Sequence, residues 1–243
     1  FVEGNIEVTG DSYLHSDAYV KEDLFVSGNT YIRETLEATG NAYFHSNAYV
    51  DDNLFVTGNT YVKETLEVTG NAYLHSDAYV GDDLFVTGIA YVREDLFVTG
   101  NAYVKETLEV TGNAYLHSDA YVGDDLFVTG KAYVREDLFV TGNAYVGETF
   151  SATGDAFFHS SVTVKETLEV SGDAFFHSNV DIGETLEVSG DAFFREDVEI
   201  SGTLQVSGDA FFHDDVVINQ TLEVSGDAFF REDVEISGTL QVS

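Results

Sequence analysis

The chain has 243 residues, with 10 Lys and Arg against 44 Asp and Glu for a formal net charge of -34, and it contains no Cys, Met, Trp or Pro. That charge balance repels nucleic acid and anionic lipid, and the missing Cys removes disulfides and thiolate metal sites. No apolar run approaches the length of a membrane span, so neither nucleic acid nor membrane insertion is expected.

Read in sixes from Phe1, the chain begins FVEGNI, EVTGDS, YLHSDA, YVKEDL, and the frame holds through 40 full hexads to a closing QVS. Position 2 is always apolar, mostly Val. Position 6 is Ala, Leu, Val, Ile or Phe except at Ser12, Thr30 and Thr60, and positions 3 to 5 are polar or Gly except at Ile89. Positions 6-1-2 therefore read as a three-residue strand with 6 and 2 on one side and 1 on the other, and positions 3-4-5 as a corner. Gly fills position 4 in 18 hexads and position 3 in four more (Gly81, Gly123, Gly147, Gly183), which predicts corners that need positive φ. A helix does not fit a period of six in a sequence dominated by Val, Thr, Tyr, Phe and Gly.

Two regions follow in chain order. Residues 1–153 carry all 14 Tyr, every one at position 1. Long blocks recur there at offsets of 30 and 42, as when Thr65–Glu106 returns nearly unchanged at Thr107–Glu148. Those offsets are not multiples of 18, so either the faces of the coil are nearly interchangeable or three chains intertwine. Residues 154–243 are Phe-rich, and their period is 18: EVSGDA-FFHSNV-DIGETL is followed by EVSGDA-FFREDV-EISGTL. Stacked at 18, Phe158, Phe176, Phe194, Phe212 and Phe230 form an inward column, and Gly172, Gly190, Gly208 and Gly226 a corner column.

The fold class is thus all-β: a β-solenoid, a triangular β-helix with six residues per face and about 18 per coil. It is expected to run as one continuous solenoid without caps over 1–243, about 65 Å long at ~4.8 Å per layer. FVEGNI opens in mid-pattern and QVS stops in mid-hexad, so the chain is expected to continue or to stack head-to-tail through its edge strands.

The hexad pattern resembles hexapeptide-repeat β-helices, the left-handed prisms best known from acyltransferases, although here Gly stands two residues after the aliphatic. The phrases LEVSGDAFF, DVEISGTLQVSGDAFF and LFVTGNAYV resemble the shaft repeats of phage tail fibres and bacterial surface fibres, and FVEGNI is similar to bactofilins, bacterial cytoskeletal polymers. These resemblances imply a structural filament or shaft. Handedness, and one chain against an intertwined trimer, stay open.

Three sets of residues could carry chemistry. All seven His (His15, His45, His75, His117, His159, His177, His213) occupy position 3, as do nine of the ten Lys and Arg. A Ser-His-Asp triad needs converging side chains, which consecutive corner residues do not supply, so the chain is read as non-enzymatic. The acidic corners Asp51-Asp52, Asp82-Asp83, Asp124-Asp125 and Asp214-Asp215 are candidates for Ca²⁺, set against a solvated acidic surface. The largest anomaly is position 1, which faces outward and yet is Tyr or Phe in most hexads. Tyr13, Tyr19, Tyr31, Tyr43, Tyr73, Tyr115, Phe157, Phe175, Phe193, Phe211 and Phe229 are therefore candidates for a chain-chain interface.

The reading is a structural, self-assembling subunit or shaft of an extracellular or virion fibre. Its expected partner is itself, as a homo-oligomer or head-to-tail filament, with a cell-surface or glycan target as a further option. The alternatives are a solenoid that binds Ca²⁺, glycan or ice, and a bactofilin-like cytoskeletal polymer. No cofactor other than Ca²⁺ is expected.

Overall fold

The structure, a computed structural model, describes residues 2–243. Among them are 40 strands, 38 of three residues and two of four, and nearly all begin at position 6 of a hexad. Three alternating residues with a small polar corner on either side form the shortest strand that buries two side chains and exposes one.

The chain forms two compact units, Phe1–Val122 and Gly123–Ser243. In each unit a strand pairs in parallel with the third strand after it along the same chain, so that Ile6 lies opposite Leu24 and Leu168 opposite Leu186. Three strands thus make one coil, and three parallel sheets make the walls. The first unit is opened by Ile6–Val8, Ser12–Leu14 and Ala18–Val20, one on each wall. Where sequence blocks recur out of step with the coil, the pairing still joins every third strand, with Thr60 opposite Ala42 and Ala78. The walls there accept one another's residues, as interchangeable faces require, and a single chain closes each coil. In the second unit the 18-residue frame brings Phe176 opposite Phe158 and Phe194. Among the described residues no helix is long and apolar enough to cross a membrane.

Positions 6 and 2 form the core, and their side chains are buried from Val20 to Val224, while those of the first and last coils are partly or fully exposed. In the second unit small and large residues compensate within a layer: Ala192 with Phe194 on one wall, Val198 with Ile200 and Leu204 with Val206 on the others. Phe158 stacks on Phe176 at 5.4 Å, and the next two links, to Phe194 and Phe212, close to 5.0 and 4.9 Å. Phe150, inward from a neighbouring wall, meets Phe158 edge-on at 6.0 Å and starts this stack. Thr30 and Thr60, the departures at position 6, are buried with hydroxyls that lack a hydrogen-bond partner.

The corners correct the expectation about glycine. No described residue, Gly or otherwise, has positive φ. Gly is required by close approach instead. A Cβ at Gly190 would lie 2.2 Å from Asp173 Oδ1, and one at Gly58 would lie 2.5 Å from Asn41 Oδ1. The Asp or Asn at position 5 aims its Oδ1 along the stack and accepts the backbone N–H of the residue one coil later. Where Gly precedes that donor the bond measures 2.6–2.9 Å. Where Glu precedes it, as at Glu34, Glu94 and Glu232, the bond lengthens to 3.0–3.2 Å. The missing Cβ thus goes with an Asx bond that is shorter, by about three tenths of an ångström on average.

Candidate assembly surface

Position 1 points away from the core in every strand, and stacking at the strand spacing turns it into columns of side chains. In the first unit, aromatics occupy all three walls. Tyr13, Tyr31 and Tyr49 stack at 5.0 and 4.9 Å, but Glu67 follows Tyr49 and separates it from Phe85. On a second wall Glu37 lies between Tyr19 and Phe55, while Phe55 stacks on Tyr73 at 5.0 Å. Tyr43 lies on Phe25 at 4.8 Å and Tyr115 on Phe97 at 4.7 Å on the third. Tyr13 is 61% exposed, more than any other large hydrophobic side chain among the described residues. The Tyr19 hydroxyl donates to Asp17 Oδ2 at 3.4 Å, and the charge of Asp17 raises its pKa.

The second unit sorts its outward residues by wall. One wall, from Leu138–Val140 to Ala228–Phe230, carries Phe139, Phe157, Phe175, Phe193, Phe211 and Phe229 without interruption. Their rings stack at 4.7–4.9 Å and lie within 5° of parallel. The spacing is that of the strands, so backbone and rings share one repeat. From residue 163 onward the other two walls show Thr163, Asp181, Glu199, Val217 and Glu235, and Glu169, Glu187, Gln205, Glu223 and Gln241. The five Phe candidates named from the sequence therefore share one surface, whereas the six Tyr candidates are spread over three walls.

Each edge of the Phe wall has its own chemistry. Where its strands begin runs the Asp column, in which each Asp from 155 to 209 accepts the N–H of the next at 2.8 Å. Where its strands end stand His159, His177, Arg195, His213 and Arg231. After Gly154 the chain has only six basic or imidazole residues, and five of them are on this edge; Lys165 is the sixth. His159 and His177 stack at 4.9 Å. Burial first, then the charge of Arg195 and the neighbouring His159, hold the His177 pKa below the ordinary histidine range, and its Nδ1 lacks a hydrogen-bond partner. Two open grooves lie between the rings and this edge: one of about 520 Å³ includes Phe175, His177, Phe193 and Arg195, and one of about 560 Å³ includes Phe211, His213, Phe229 and Arg231.

The acidic corners are arranged differently from the aromatics. The Asp82-Asp83 pair is followed one coil later by Gly100 and Asn101, whose N–H groups bond to the Asp82 carbonyl at 3.0 Å and Asp83 Oδ1 at 2.7 Å. Asp125 and Asp215 likewise accept backbone N–H groups through Oδ1, and Asp52 Oδ2 accepts the Thr35 hydroxyl at 3.1 Å. Asp51, Asp124 and Asp214 stand at the same corners. Among the described residues no group of three or more His, Cys, Asp or Glu gathers around one point.

No protein-family model, curated protein or solved structure matches this chain. The likeness to hexapeptide-repeat and shaft sequences is carried by the residues alone, and the fold is that of a three-walled β-solenoid in which three strands make one coil.

Proposed function

We propose that the chain is a structural β-solenoid subunit, a shaft or filament segment of a fibre outside the cell, on a cell surface or virion, that assembles with copies of itself. The observation that carries this reading is the combination of loop-free corners with outward aromatic columns. Strands follow one another in nearly every hexad along the described chain, so no long loop builds a cleft for a substrate. What the coils offer instead is repeated, ordered side chains, and a face with a run of exposed or half-exposed rings marks an interaction surface. The extracellular setting rests on the likeness to fibre shafts and is tested separately, by immunogold labelling of the source.

The test of assembly is negative-stain electron microscopy of the purified chain at two concentrations, with Ca²⁺ and with EDTA. Filaments or uniform multi-chain shafts that persist in EDTA are expected. Single chains at every concentration would sink the reading, and assembly that requires Ca²⁺ would move the function to the acidic corners.

A further inference from the structure

We infer that the Phe wall of the second unit is the contact face of a homodimer, with two copies packed face to face about a twofold axis parallel to the coil axis of that unit. This rests on the self-assembly reading and adds the surface, the partner and the orientation.

Tyr keeps a hydroxyl in water when it faces outward, whereas Phe has no polar atom to present. On the Phe wall all six outward residues are Phe, and they form one unbroken stack (Phe139 to Phe229). Charge excludes the other two walls. Packing two copies through either of them would oppose Asp181, Glu199 and Glu235, or Glu169, Glu187 and Glu223, with their own counterparts. The Phe wall is the one whose outward column carries no charge.

The two edges of the wall set the orientation. Every strand of this wall runs from the Asp column to the His and Arg column. Two identical walls can meet face to face with twofold symmetry in two ways. A twofold along the strand direction lays Asp over Asp and His/Arg over His/Arg, with the coil axes antiparallel. A twofold along the coil axis reverses the strands of the partner instead, so each Asp column faces a His/Arg column and the coil axes run parallel. The first arrangement sets Asp on Asp in register, which repels, whereas the second brings Arg195 and Arg231 to the partner's Asp column and offers it the neutral imidazoles as hydrogen-bond partners, so the second arrangement is selected. In chains that each carry a net charge of -34, two of the three Lys and Arg after Gly154 stand on the His/Arg edge, Arg195 and Arg231, each beside an acidic pair of the same corner, Glu196-Asp197 and Glu232-Asp233. The grooves beside the rings give the partner's Asp edge room to enter.

The parallel twofold places each ring opposite the same ring of the partner. The chain has no Cys, so Phe157→Cys and Phe229→Cys, at or near the two ends of the stack, each introduce a single thiol into the full chain. Facing sheets lie about 10 Å apart, a gap that a short bis-maleimide spans. Each variant alone should give cross-linked dimers, and an equimolar mixture should give few 157–229 hybrids. Adding Arg195→Glu and Arg231→Glu, both at exposed corners, should lower the cross-linked yield at least tenfold while the circular dichroism melt stays that of a folded chain. Hybrids without self-links would overturn the orientation. Assemblies in the microscope with neither cross-link would overturn this interface and leave the fibre reading standing. Monomers at every concentration would overturn both.

Discussion

The two units obey one set of rules for the backbone and use different rules for the outer surface. In Phe1–Val122 the hexads are shuffled among walls, so an outward column passes from Tyr to Glu and back, as at Tyr49, Glu67 and Phe85. In Gly123–Ser243, beyond Gly154, the sequence repeats every 18, so that one wall becomes all Phe while the other two turn mostly acidic or amide. A coil needs only position-specific constraints, apolar at 6 and 2 and small or polar at the corner. A surface needs constraint at the level of whole coils. The change from 6 to 18 as the operative period is therefore the change from a sequence that specifies a wall to one that specifies a particular wall.

The largest effect that would break this comparison lies in the core. Phe194 is 1% exposed and stacks between Phe176 and Phe212, so Phe194→Ala should cost about 3–5 kcal/mol. Val86, at the same inward position in the first unit, fills less space, and Val86→Ala should cost about 1.5–3 kcal/mol. Urea unfolding of the two variants measures the difference. Equal losses would mean that the Phe column contributes no more than the aliphatic columns it replaces.

The corner glycines come next. Gly190→Ala would force a Cβ toward Asp173 Oδ1 and the Gly172 carbonyl, at 2.2 and 2.6 Å before any relaxation. The chain already shows how a corner accommodates a Cβ: before Asp95 and Asp233 the residue is Glu, and the Asx bond lengthens to 3.1 and 3.2 Å. The substitution should therefore weaken the Asp191 N–H bond at a cost of about 1–3 kcal/mol without unfolding the unit. Faster hydrogen exchange at Asp191 than at Asp173 would confirm it, and unchanged exchange would remove the close-approach account of Gly.

These corners also show what the sequence could and could not convey. The hexad phase places nearly every strand, and the buried set follows from positions 6 and 2, because both depend on neighbours within one hexad. The role of Gly is not legible within a hexad because it depends on a residue almost a full coil earlier: Gly190 answers to Asp173 and Gly58 to Asn41. That relation becomes visible only when the coil length is known, and in 1–153 the blocks that recur at 30 and 42 obscure it. The same limit applies to the surface. Phe157 to Phe229 stand out in the 18-residue region as one set, whereas Tyr13, Tyr19 and Tyr43 look alike in sequence and lie on three different walls.

Thr60 offers a smaller and opposite effect. Its hydroxyl is fully buried, without a partner, in a column where Ala42 and Ala78 are its neighbours. Replacing it by Val keeps the shape and removes the orphaned polar group, so Thr60→Val should stabilise the chain by about 1 kcal/mol. A loss of stability would mean that the hydroxyl is satisfied in solution by a buried water.

The smallest expected effect belongs to the second unit's imidazole stack. In the first unit the residues one coil after His15, His45 and His75 are Arg33, Lys63 and Arg93, whereas the strict register of the second puts His177 on His159 at 4.9 Å. Burial is the main reason that the His177 pKa is lowered, with Arg195 and His159 adding to it and the Phe158 backbone opposing it. Above the ordinary histidine pKa of about 6.5 both folded and unfolded chains carry a neutral ring here, and the site has no pH dependence. As the pH falls through that value the unfolded chain binds a proton that the folded site still refuses, so stability falls until the folded site itself becomes protonated. Melting should therefore drop modestly on acidification below about pH 6.5, and His177→Gln should flatten that part of the profile while leaving the neutral-pH melt nearly unchanged. A profile that keeps its slope in the variant would assign the acid sensitivity to other groups, and the stacked pair would then have no energetic consequence for the second unit.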